Sequence, residues 1–141
     1  MSPALKFLIG LAAAILMGWI YHGPLGNGER LVSSIERQAQ AALAQTGLPV
    51  QAQLGRDPLS RTATLSGNAD RFQREGQGSL KGINDIIAEV PGISGYRWAD
   101  EPERSAMPLL VESLIQIILA YLLGLGLAWL IWGRKRREGF Y

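Results

Sequence analysis

Apolar residues gather at the two ends of this chain, and a polar, turn-rich stretch lies between them. From Leu109 to Trp132 only Glu112, Ser113 and Gln116 interrupt the apolar run. A helix rising about 1.5 Å per residue covers a hydrocarbon core of roughly 30 Å with about 20 residues. Residues 108–133 are therefore predicted to form a transmembrane helix. Phe7 to Tyr21 is a second apolar run. With Ala4 and Leu5 added, and Lys6 snorkelling, it reaches about 18 residues, within the range of a span. It ends in Gly18-Trp19-Ile20-Tyr21-His22 rather than in the small residues a signal peptidase needs. Residues 1–22 thus read as an uncleaved anchor.

The middle carries shorter periods. Residues 23–28, rich in Gly and Pro, form a linker. From Glu29 to Thr46, Leu31, Ile35, Ala39, Ala42 and Leu43 share one helical face, and Gly47 stops the helix. Val50, Ala52 and Leu54 alternate with glutamines, Gly55-Arg56-Asp57-Pro58 makes a turn, and Ala63 and Leu65 alternate with Thr and Ser: a hairpin. Asn68 or Asp70 caps a second helix bearing Phe72, Leu80, Ile83, Ile86, Ile87 and Val90, weakened by Gly76, Gly78 and Gly82 and stopped by Pro91-Gly92. Ile93 to Trp98 is a last strand. The prediction is an α+β domain over residues 29–99, ordered helix-strand-strand-helix-strand, followed by an acidic linker, 100–107. Its expected core is Leu31, Ile35, Leu54, Leu65, Ile83, Ile87 and Trp98.

Charge adds topology. The formal net charge is +2, yet between Gly23 and Arg104 nine Lys and Arg face ten Asp and Glu. The basic excess belongs to the tail, residues 134–141, where Arg134, Lys135, Arg136 and Arg137 follow the second span. Such a cluster stays on the cytoplasmic side during insertion and meets anionic headgroups. Trp129 and Trp132 suit the boundary just before it. Two spans with both termini cytoplasmic place the middle outside, which in a Gram-negative cell is the periplasm.

The same composition narrows the chemistry. With no basic face on the domain, nucleic acid is not an expected partner. The absence of cysteine excludes disulfides and thiolate chemistry. His22 is the only histidine, with no further ligands at metal spacing, so no metal is expected. Asp57, Asp70 and Asp85 are scattered and read as solvated surface. No nucleotide, dinucleotide or nucleophile-elbow motif occurs, and Gly124-Leu125-Gly126 lies inside a span. Neither catalysis nor a cofactor is expected.

The specific signal lies in the spans. Every fourth residue gives Lys6, Gly10, Ala14, Gly18 and His22 in the first, and Glu112, Gln116, Ala120, Gly124 and Ala128 in the second. Lipid solvates leucine as well as another helix does, so membrane helices associate through close approach at small residues and through polar side chains. An antiparallel hairpin would set His22 against Glu112, Gly18 against Gln116, Ala14 against Ala120 and Gly10 against Gly124.

Three segments carry a resemblance: Val50-Gln51-Ala52-Gln53-Leu54, Ala63-Thr64-Leu65-Ser66-Gly67, and Ile86-Ile87-Ala88-Glu89-Val90-Pro91-Gly92-Ile93. Over about Leu31 to Trp98 the chain resembles a BON domain, a small envelope-associated α+β module. It departs from that pattern in the loop Gly55 to Arg61, which replaces a tight Asn-Gly turn, and in the three helix glycines. The two-span layout is similar to the N-terminal part of some inner-membrane proteins of the OmpA family, here without a peptidoglycan-binding domain after the second span. The resemblance implies attachment to membranes or partners, with phospholipid as a proposed ligand, and no catalysis. The expected function is a non-enzymatic inner-membrane structural or accessory subunit. Its helices pack in an integral membrane protein complex, of respiratory or photosynthetic type, and its domain offers a contact surface. The alternative is an envelope protein that binds phospholipid or acts as a tether.

Overall fold

In the computed structural model the described residues are 2–102 and 105–133. They form an α+β chain with a long apolar helix near each end. Two compact units result, one spanning Gly26–Leu109 and the other drawn from the two ends of the chain.

In the first unit, α2 (Asn27–Ala44) precedes the antiparallel strands β1 (Val50–Arg56) and β2 (Leu59–Gly67). Ala52 pairs with Leu65 and Leu54 with Ala63, and the register slips between Leu54 and Arg56. β5 (Gly95–Trp98) runs parallel to β2, with Leu65 opposite Trp98, so the sheet order is β1-β2-β5 and β2 is central. Alternation explains the burial: Val50, Ala52 and Leu54 point inward while Gln51 and Gln53 are exposed. Above them, Ile35, Ala39 and Leu43 of α2 join Leu65, Ile83, Ile87 and Trp98 in one core.

One expected core residue lies elsewhere. Leu31 is 47% exposed, whereas Val32 is fully buried. At about 100° per residue, a face centred on Ala39 has Val32 about 20° off centre and Leu31 about 80° off. Val32, rather than Leu31, therefore faces the core.

The second helix of the domain is also not continuous. It divides into α3 (Arg71–Glu75), a small hairpin of β3 (Gly76–Gln77) and β4 (Leu80–Lys81), and α4 (Ile83–Ala88). Asp70 caps α3: the Gln73 N–H donates to Asp70 Oδ1 at 2.8 Å, and the Asp70 N–H to Gln73 Oε1 at 2.9 Å. Gly76 then takes φ +79°, a left-handed conformation that ends the helix, and a Cβ on Gly82 would run into the backbone of Arg74 and Gly76. These glycines thus replace two helical turns with a hairpin. Phe72 and Leu80, expected on the buried face, are 66% and 73% exposed.

Trp98 closes the far end of the core. Its indole N–H donates to Asn84 Oδ1 at 2.9 Å, and the Arg74 guanidinium lies 3.9 Å above its ring. Arg74 also pairs with Asp100 at 2.9 Å and donates from Nε to the Ala69 carbonyl at 3.1 Å.

The other unit holds α1 (Pro3–His22) and α5 (Leu109–Ala128), the latter continued by a π-helical turn, Trp129–Gly133. Ser2 caps α1, accepting from the Leu5 N–H at 3.2 Å. The runs Pro3–His22 and Leu109–Ile131, with mean hydropathies of 1.9 and 2.3, are long and apolar enough to cross a membrane.

Candidate helix-pairing interface

α1 and α5 meet through one face of each. On α1 the half-buried residues include Gly10, Ala14, Gly18 and His22, four residues apart, together with Leu11, Ile15 and Ile20. A side chain added at Gly10 would strike the Tyr121 hydroxyl, and one at Gly18 would strike Ile117, with Leu114 3.9 Å away. Leu114, Ile117 and Tyr121 stand at i, i+3 and i+7, so they form one ridge, and the glycines form the groove that receives it.

Tyr121 fixes the register. Its hydroxyl donates to the Phe7 carbonyl at 3.0 Å, and its ring lies 5.7 Å from that of Phe7 at 54°. A hydroxyl in an apolar surrounding needs an acceptor, and a helical carbonyl keeps a second lone pair beyond its own i+4 bond.

The small-residue stripe of α5 takes another direction. Glu112 and Ala128 are half-buried, but Gln116, Ala120 and Gly124 are exposed, and nothing lies within 4 Å of a Cβ built on Gly124. Gly18 therefore faces Leu114 and Ile117 in place of Gln116, and Gly10 faces Tyr121 in place of Gly124. Two grooves laid together leave space unless the backbones approach very closely, whereas a ridge of Leu, Ile and Tyr fills a groove at ordinary separation. The signal in the sequence for this contact is Tyr121, a polar group within an apolar helix with no polar neighbour four residues away. Arg134, Lys135, Arg136 and Arg137, assigned to headgroups and topology, lie outside the described residues.

A second candidate surface belongs to the α+β unit alone. Between α2 and α4 runs an open groove of about 830 Å³. Ala42, Leu48, Ile83, Ile86 and Val90 give it apolar walls, and Gln38, Gln45 and Gln73 line it as well. At its edge the Lys81 ammonium pairs with Glu89 at 2.6 Å. Among the described residues no group of three or more His, Asp or Glu is placed to hold a metal ion. No family model matches the chain, and comparison with curated proteins and with solved structures gives no match.

Proposed function

We propose that this protein is a non-enzymatic inner-membrane accessory subunit. Both of its termini are cytoplasmic, and its middle domain is periplasmic and BON-like. A helix, an antiparallel strand pair, a helical segment interrupted by the small β3–β4 hairpin, and a last strand, with a mixed three-stranded sheet under α2 and α4, support the BON reading. One observation carries the subunit reading. α1 receives α5 on the ridge of Leu114, Ile117 and Tyr121, which leaves Gln116, Ala120 and Gly124 on a surface of α5 open to a further helix. A polar amide and two small residues on one lipid-facing stripe fit a helix of an integral membrane protein complex better than they fit lipid.

The groove between α2 and α4 favours a second reading, in which the domain holds an envelope phospholipid. Its apolar walls suit acyl carbon and its glutamines and Lys81 suit a headgroup. Purification of the tagged chain in mild detergent separates the two. Recovery at fixed stoichiometry with a multi-subunit membrane complex, lost in Ala120→Leu or Gly124→Leu, is the expected result. Recovery alone with bound phospholipid overturns it in favour of the second reading.

A further inference from the structure

The free edge of β1 is unusually well defined. The Ser94 N–H donates to the Arg61 carbonyl and the Ala99 N–H to the Leu65 carbonyl, so the odd-numbered residues of β2 turn their peptide groups toward β5. Thr64 and Ser66 therefore serve β1, where they oppose Gln53 and Gln51. The peptide groups of Val50, Ala52 and Leu54 consequently point away from the sheet. Along that edge the Val50 N–H donates to the Leu48 carbonyl at 2.8 Å. At its centre the Ala52 carbonyl accepts from Gln40 Nε2 of α2, also at 2.8 Å.

An exposed row of peptide groups is a template for another strand. The sequence of β1 indicates which one. About Ala52 it is self-complementary: two antiparallel copies would place Gln51 against Gln53 and Val50 against Leu54, amide facing amide and aliphatic facing aliphatic. No charge falls within that window, and the nearest, Arg56, is tied to Glu36 at 2.7 Å. Pro49 and the irregularity after Leu54 limit the window to five residues. The acceptor that would lie next to the two-fold axis is the Ala52 carbonyl, which Gln40 occupies.

We propose that the β1 edge is a strand-pairing surface for the β1 strand of a second copy of this chain, and that Gln40 is the contact holding it closed. When the amide swings away, Ala52 N–H and C=O become free to pair with those of the second copy, which closes a two-fold dimer. This surface lies outside the helix interface and the groove.

The chain has no cysteine, so cross-linking reads the register directly. Full-length Gln51→Cys and Gln53→Cys chains, mixed in detergent and oxidised, should join 51 to 53. Those positions form a non-hydrogen-bonded pair with Cα atoms about 4.5 Å apart, within disulfide reach. Joins of 51 to 51 or 53 to 53 should be scarce, because two-residue diagonals exceed about 7 Å. Adding Gln40→Ala should raise the 51–53 yield about three- to tenfold, the scale of one released hydrogen bond. Gln40→Met, which retains side-chain volume without a donor, should do the same. The proposal is overturned if 51–53 joins are no more frequent than 51–51, or if neither Gln40 variant changes the yield while thermal melting is unchanged. Capture of β1 by a different protein would overturn it as well.

Discussion

The two units of this molecule use apolar residues in opposite ways. In the α+β unit Leu43, Leu65, Ile83 and Ile87 are at most 1% exposed, held by protein on every side. In the helix pair Leu8, Leu16, Leu119 and Leu123 are between 55% and 70% exposed, and the contact is made where side chains are missing, at Gly10 and Gly18. Water drives the first arrangement: removing a methylene from contact with it is worth about 0.8 kcal/mol. Lipid would provide no such gain, so in a membrane the pair would rely on fit and on the Tyr121 hydroxyl. The α+β unit should therefore break when volume is taken away, and the helix pair when volume is added.

The largest effect should come from subtraction in the core. Leu65→Ala or Ile87→Ala, both at fully buried positions, should cost about 2–5 kcal/mol, comparable to the whole net stability of a domain this small. Far-UV circular dichroism during heating of the full chain in detergent checks this, and a melt matching the parent's would mean that the core is assigned wrongly. Addition to the helix pair comes next. Gly18→Leu should cost about 1–3 kcal/mol, as overpacking does, and abolish α1–α5 cross-links engineered beside it. Gly124→Leu, with open space around it, should leave them intact, and equal loss in both would reverse the assignment of faces. Tyr121→Phe removes only the bond to the Phe7 carbonyl and should weaken pairing by about 0.6–2 kcal/mol, readable as a partial fall in the same cross-links. Smallest of all, Leu31→Ala should lower stability by well under 1 kcal/mol, while Val32→Ala, about 100° further around the helix and fully buried, lowers it measurably.

Much of the α+β unit was legible because its periods are clean. Alternation from Val50 to Leu54 and from Ala63 to Leu65 yields the hairpin, and Ile35, Ala39 and Leu43 define the buried side of α2. The hairpin at Gly76–Lys81 was not legible. Phe72 and Leu80 fit a helical face on paper, and only a backbone already folded reveals that Gly82 must pass against Arg74 and Gly76. In the spans, counting by fours found the glycines of α1 that lie on its half-buried side. On α5 the same counting picks Glu112 and Ala128, which are half-buried, together with Gln116, Ala120 and Gly124, which are exposed, because a groove does not name its filler. A small-residue stripe states where a helix can be approached closely and leaves open whether the approaching surface is another groove or a ridge.

The parallel pairing of β5 with β2 has a consequence for how the chain is made. β2 is the central strand, yet its second neighbour lies some thirty residues downstream, just ahead of the second apolar helix. A nascent chain that has emerged only as far as α4 carries a hairpin with one flank of β2 unpaired and no Trp98 to seal the hydrophobic interior. Local contacts form quickly and distant ones late, so completion of the sheet waits on the stretch of synthesis just ahead of the second apolar helix. Until that moment the half-sheet is adhesive, a surface that chaperones would meet. Chains truncated before Gly95 should accordingly be cleared as unfolded protein rather than accumulate as a smaller domain.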